Sequence, residues 1–184
     1  MQAATNNRYL ILAAMEKPNL PEPWLRGTLT DVPPIQRAIL HALEMAKEDL
    51  ERWCGELTAQ QFNARPAEIA PVAFHIRHIA RSMDRLLTYA EGKSLTPEQI
   101  AAMKSEANPG ASLDEVFAEL RQALQSAAAR VRAFSVEDLV QSRAIGRQQM
   151  PTTLGGLLVH VADHTQRHVG QAITTAKIVK GKLP

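Results

Sequence analysis

Five of the six histidines in this 184-residue chain fall in two clusters whose spacing suits metal binding. The first cluster contains His75 and His78, and the second contains His160, His164 and His168. Residues spaced i, i+4 and i+8 lie along one side of a helix and drift by about 40° per step. Two imidazoles at i and i+4 can therefore approach one ion, as they do in zinc proteases. Imidazole ligands suit zinc, nickel, iron or copper, and we favour zinc or nickel.

Two long helices must carry these clusters. Apolar residues at spacings of three and four predict a helix over 72–91 that holds the first cluster. A second helix is predicted over 151–180, introduced by Pro151, and it holds the other cluster. In both helices the histidines lie on the flank of the apolar stripe, with His168 nearest the core and His160 furthest from it. The pattern therefore predicts imidazoles beside a buried face on two different helices.

The rest of the chain supplies the other helices of a bundle. The predicted elements are a helix over 35–53, capped by Thr30 or Asp31, a short helix capped by Thr96, a long helix over 112–134 opened by a capping-box pattern at Ser112, and an irregular stretch over 142–149. Alternating strand patterns and Asn-Gly hairpin signals are absent from the sequence. The fold class that this indicates is all-α, a four-helix bundle.

The first 33 residues differ from the remainder, because five prolines fall between Pro18 and Pro34. We predict an irregular, Pro-rich N-terminal segment over 1–33 and a helical bundle domain over 34–184. The apolar run at Tyr9–Met15 is short, and Arg8 is the one positive charge before it, so it does not predict an export signal. With a single cysteine, Cys54, and no apolar run near ~20 residues, we expect a cytoplasmic protein without a membrane span.

Composition also narrows the class of partner. The formal net charge is +2, aromatic residues make up 4% of the chain, and there is no basic run. These features disfavour nucleic acid as a partner and favour a small-molecule substrate. Nearly half of the residues are hydrophobic, which excludes global disorder.

Two segments of the chain resemble the pattern of the DinB/YfiT-like superfamily of metal-dependent enzymes. They are His78-Ile79-Ala80-Arg81, with Asp84 in the same helix, and His164-Thr165-Gln166-Arg167-His168-Val169-Gly170-Gln171. The resemblance implies a four-helix bundle with a three-histidine metal site that water or substrate completes. The implied ligands are His78, His164 and His168. Helical position alone slightly prefers His75 to His78, because His75 is closer to the apolar seam, and here the resemblance decides for His78.

The other polar residues of these helices are candidates for supporting roles. His75 and His160 are alternative ligands, or groups that hold the ligands from behind. Asp84 and Asp163 are candidate acceptors for imidazole N–H groups, although an exposed position is equally consistent for Asp163.

Three more residues are candidates for lining the site or binding substrate. Gln171, one turn after His168, is placed to line the site, and Arg81 or Arg167 to receive an anionic substrate, although a solvated arginine is the commoner case. His41 and Cys54 are expected to be structural.

Three neutral ligands and an open fourth position are typical of a catalytic metal site. Such a metal activates a bound thiol or water near pH 7. There is no H-E-x-x-H glutamate, since Thr165 follows His164, and there is no phosphate-binding loop. The resemblance therefore implies, as a first hypothesis, metal-dependent transfer of a low-molecular-weight thiol to an electrophile. The alternatives are a metal-dependent hydrolase and a non-catalytic, stress-related metal-binding protein, and the resemblance also implies a homodimer.

Overall fold

A computed structural model describes residues 20–181. Over these residues the chain forms six α-helices and one two-stranded sheet, besides short 3-10 turns. The elements are α1 (Pro34–Cys54), α2 (Ala59–Asn63), α3 (Val72–Ala90), α4 (Pro97–Lys104), α5 (Leu113–Ala133), β1 (Ser142–Ile145), β2 (Met150–Thr153) and α6 (Leu154–Val179). Most of the predicted N-terminal segment, including Tyr9–Met15, lies outside the described residues. Within 20–181, no helix combines the length and the apolar character needed to cross a membrane.

The four long helices pack as a bundle in which each has two neighbours. Helix α3 packs against α5 and α6, and α1 packs against the same two helices. Their predicted apolar stripes form one continuous core. Its largest fully buried side chains include Leu50, Phe62, Ile76, Ile79, Met83, Leu87, Leu120, Leu154 and Leu157. Each fully buried leucine or isoleucine contributes roughly 1.5–3 kcal/mol of transfer free energy. The predicted all-α four-helix bundle is confirmed, and the two histidine-bearing helices, α3 and α6, are in direct contact.

Local capping signals explain where several helices begin. The hydroxyl of Thr96 accepts a hydrogen bond from the Gln99 backbone, and the Gln99 side chain accepts one from the Thr96 backbone. Ser112 caps α5 by accepting from Glu115, as its sequence pattern predicts. The predicted cap of α1 is wrong, because Pro33 occupies the cap position without a side-chain bond. Proline at the first helical positions loses no intrahelical hydrogen bond, so α1 starts without a polar cap.

The segment before α6 is a hairpin, where the sequence predicts irregular structure. Strands β1 and β2 pair antiparallel, with Ser142 opposite Thr153 and Ile145 opposite Met150. Pro151 therefore lies in β2 and does not open the helix, which begins at Leu154. Four-residue strands are too short to show alternation, and both are edge strands, where proline is tolerated. The hairpin positions Thr153, whose hydroxyl accepts a hydrogen bond from the Gly156 backbone and caps α6.

Candidate metal centre

Three imidazole rings converge where α3 faces α6. His78 comes from α3, while His164 and His168 lie one turn apart on α6. One ring nitrogen from each lies within 4.8 Å of the others. All three side chains are half-buried, so the cluster lies at the edge of the core and remains accessible. These are the three residues that the resemblance implies as ligands, and their binding of a metal stays a prediction.

The spacing of the nitrogens fits a small tetrahedral ion. Nε2 of His78 and Nε2 of His164 are 3.3 Å apart. Two nitrogens bound tetrahedrally at zinc distances of 2.0–2.1 Å would be separated by about 3.3–3.4 Å. The centroid of the His168 ring is 4.4 Å from that of His78 and 4.7 Å from that of His164. The donor set and its spacing therefore fit a divalent transition metal.

Each of the three rings is held through its other nitrogen, Nδ1. Nδ1 of His78 is 2.7 Å from the Glu106 carboxylate, and Nδ1 of His164 is 3.4 Å from the Ser82 hydroxyl. Nδ1 of His168 is 3.1 Å from Nδ1 of His75. Metal-binding histidines commonly have such partners, which fix both the ring orientation and the tautomer. His75 thus contacts His168 from behind the cluster, and its role in metal binding stays a prediction.

The local environment keeps His75, His164 and His168 neutral. Burial, which is the largest cause, and the neighbouring histidines together lower the pKa of His75, His164 and His168 to about 4. Desolvation disfavours the charged imidazolium, and so does the approach of a second positive ring. Neutral imidazole is the form that binds a metal. His164 and His168 are therefore in a metal-binding protonation state at neutral pH.

Glu106 is the residue of the site that the sequence interpretation missed. It lies in the turn after α4, is only 6% exposed, and receives a hydrogen bond of 2.6 Å from Arg85 as well as the contact with His78. Burial by itself would raise the pKa of this carboxyl, but these two hydrogen bonds outweigh it and hold the pKa below the usual range. Asp84, one of the two acceptors that the sequence suggests, bonds instead to Arg130 and Gln99.

Helix geometry explains why Asp84 does not face His78. Asp84 follows His78 by six positions, which places it about 120° around the helix axis. A carboxylate on that side of α3 cannot reach the imidazole. Glu106 is 28 residues away in sequence, and only the packing of α4 on α3 brings it to His78. No local signal in the sequence indicates this pairing.

The other candidate residues of α6 lie around the cluster, on its exposed side. The His160 side chain is 42% exposed, and its ring centroid is 5.4 Å from that of His164. The Asp163 carboxylate faces Nδ1 of His160 at 3.7 Å and bonds to Arg167 at 2.6 Å, so it contacts none of the three converging rings. Gln171 is exposed. Roles for these residues in binding stay predictions.

The two candidate substrate arginines have different surroundings. Arg81 donates to the Glu119 carboxylate at 2.6 Å, and also to the Ala102 carbonyl and the Ser105 hydroxyl. It lines a cavity of about 330 Å³ between α3, α4 and α5 that no histidine lines. Arg167 is 59% exposed on the same helix as two of the clustered histidines. Arg167 is therefore the better placed of the two to meet a ligand of the cluster.

One aromatic side chain borders the site, whereas the remaining histidine and the cysteine lie apart from it. Phe74 stacks on His78, with ring centroids 5.4 Å apart and planes inclined by 15°, so it forms an apolar wall beside the site. His41 is buried and pairs with Thr28 at 3.1 Å. Burial raises the pKa of the Cys54 thiol to about 12, which keeps it protonated. His41 and Cys54 thus have the surroundings of structural residues.

Comparisons with known proteins agree with this fold. The family model described as the DinB superfamily matches residues 42–172. A conserved protein from Enterococcus faecalis aligns with a TM-score of 0.67 at 18% identity, over 80% of this chain and 98% of its own. YfiT from Bacillus subtilis, described as "a probable metal-dependent hydrolase with an unusual four-helix bundle topology", aligns with a TM-score of 0.60 at 15% identity, over 79% and 87%. At these identities the two structures show the fold alone. No curated protein matches the sequence significantly.

Proposed function

This chain belongs to the DinB superfamily, and on that premise we propose that it is a metal-dependent enzyme whose metal is held by His78, His164 and His168. The observation that carries the proposal is the convergence of three imidazoles, each with a partner at Nδ1. Three protein ligands leave a coordination position for substrate or water. The imidazole set favours zinc or nickel, and the 3.3 Å nitrogen spacing fits tetrahedral zinc.

The proposed reaction is the transfer of a small thiol to an electrophile. A metal held by these three histidines would supply the chemistry, because it would favour the thiolate form of the thiol near neutral pH. The proton goes to solvent, the sulfur forms a bond to the electrophilic carbon, and the leaving group departs with its electron pair. Both oxygens of Glu106 are engaged, one by His78 and the other by Arg85, which leaves this carboxylate unsuited to act as a base. The arrangement favours a nucleophile that needs no protein base.

The residues around the cluster suit a small organic substrate with an anionic group. Phe74 supplies an apolar face next to His78. Arg167 has Asp163 as its single described partner and remains largely exposed, so its guanidinium is available to a carboxylate or phosphate. These two groups are the ones that we expect to bind the electrophile or the thiol tail.

A hydrolase is the second candidate, because the structurally similar YfiT is described as a probable metal-dependent hydrolase. In that case water would take the open position and attack an ester or amide. Its activity would not require an added thiol, which separates the two proposals directly.

The test combines elemental analysis with a conjugation assay. Protein loaded with zinc or nickel is incubated with monochlorobimane and a low-molecular-weight thiol, with and without a chelator. The thiol-transfer proposal predicts product only when metal and thiol are both present. Turnover of an activated ester without thiol would support the hydrolase instead. If metal-loaded protein shows neither activity across a broad panel, the protein is a non-catalytic metal-binding protein.

The variants of choice are His164→Ala and the matched control His160→Ala, one turn away on the same helix. We expect the first to lose both metal and activity and the second to keep its metal. Stoichiometric metal in His164→Ala would contradict the assignment of the site.

A further inference from the structure

Three arginines of α3 donate hydrogen bonds to α4 and to the turn that follows it. Arg77, Arg81 and Arg85 follow one another at intervals of four, so they lie along one side of the helix. Arg77 donates to three backbone carbonyls at distances between 3.1 and 3.4 Å, those of Ser105, Glu106 and Asn108. Arg81 donates to the Ala102 carbonyl at 2.7 Å. Helix α4 has no buried residue, so apolar packing contributes little to its position. The hydrogen bonds from the arginines therefore hold α4 and the following turn against α3.

The consequence of this attachment is a buried carboxylate at a defined position. Glu106 is 6% exposed, whereas the residues that follow it, 107–110, are exposed. Its Oε1 accepts from Arg85 at 2.6 Å, and its Oε2 lies 2.7 Å from Nδ1 of His78. The carboxylate therefore has one oxygen for each of two donors. An ionised carboxylate accepts only, so the proton of a neutral His78 ring must be on Nδ1.

We propose that Glu106, held by Arg85, is a positioning residue that keeps His78 in the Nδ1-protonated tautomer with its Nε2 lone pair directed at the metal site. Its importance for metal binding rests on the proposed function, while the tautomer is a property of the metal-free protein. His164 and His168 have weaker Nδ1 partners, a hydroxyl at 3.4 Å and a neutral imidazole. His78 is thus the one of the three proposed ligands whose Nδ1 contacts a charged group, and this hydrogen bond fixes its ring more firmly than those of the other two.

The variant Glu106→Gln tests this with little change in size. Its amide offers one acceptor and one donor, whereas Arg85 and the Nδ1–H of His78 both need an acceptor. One of the two contacts must therefore be lost. The matched control is Glu119→Gln, because Glu119 also accepts from an arginine of α3, at 2.6 Å, and has no described contact with an imidazole.

The first measurement is metal affinity, by chelator competition on the full chain, with circular dichroism to verify folding. Loss of a carboxylate behind a ligating histidine commonly weakens binding by about 10- to 100-fold. We expect that loss in Glu106→Gln and wild-type affinity in Glu119→Gln. Wild-type affinity in both variants would overturn the positioning role.

The second measurement needs no variant of Glu106 and no metal. A proton–nitrogen correlation spectrum of the histidine side chains in the metal-free wild type reports which nitrogen of each ring is protonated, and His78→Gln assigns the signal. We expect His78 protonated on Nδ1. Protonation on Nε2 would refute the proposal even if metal binds. If the wild type binds no metal but His78 has the Nδ1 proton, the enzyme proposal fails while the action of Glu106 on the tautomer holds.

Discussion

Acidification of the metal-free protein offers a direct test of the buried imidazole cluster. The pKa of His75, His164 and His168 is about 4 in the folded chain, mainly because of burial, against 6.5 for an ordinary histidine. Between these values the unfolded chain binds protons that the folded chain does not. The contribution of the neutral rings to stability is therefore complete above pH 6.5 and is lost as the pH falls toward 4.

The size of the effect follows from proton linkage. Each histidine that is neutral when folded and protonated when unfolded lowers the free energy of unfolding by about 1.4 kcal/mol per pH unit. The rings lie close together and do not take up protons independently, so we count one full proton as the minimum. On that basis stability falls by at least about 2 kcal/mol between pH 6 and pH 4.5. Glu106 does not account for this window, because a lowered carboxyl pKa acts below about 4.5.

The assay is urea denaturation of chelator-treated protein at several pH values, followed by circular dichroism. The slope of unfolding free energy against pH should be positive between pH 4.5 and 6. His75→Gln, which removes one buried ring, should flatten that slope, whereas His160→Gln, which removes an exposed ring and only a smaller influence on the pKa of His164, should change it far less. A free energy that is flat over this window, or an unchanged slope in His75→Gln, would refute the assignment of neutral buried rings.

Three further outcomes follow from the structure. His168→Ala should lose stoichiometric metal by elemental analysis, because a cluster of three ligands becomes a pair. Metal should dissociate as the pH falls below ~6, measured by a metal-sensitive dye, since only neutral imidazole binds it; retention at pH 4 would point to other ligands. Leu120→Ala should lower the free energy of unfolding by about 2–5 kcal/mol in urea titrations, as this fully buried side chain lies in the core; a loss under ~1 kcal/mol would argue against that packing.

Apolar periodicity predicted the long helices well, because each helix must bury one side. The stripe of α5, from Val116 to Val131, is buried in the bundle as its spacing predicts. The hairpin before α6 escaped prediction because its stability comes from backbone pairing between β1 and β2 and leaves no periodic pattern. The predicted cap of α1 was wrong because the helix begins at Pro34, which puts Pro33 at the cap position in place of Asp31 or Thr30.

Part of the candidate site could likewise be predicted from local sequence spacing, and part depends on contacts between distant segments. The intervals between His160, His164 and His168 on one helix follow from the chain alone, because helix geometry sets which side chains share a side. Which ring of α3 meets them does not follow, since helical position prefers His75, and the packing of α3 on α6 places His78 in the cluster and His75 behind His168. Glu106 depends on packing entirely. Its 28-residue separation from His78 is bridged by side-chain contacts between α3 and the turn after α4, and contacts between distant segments leave no period in a single sequence.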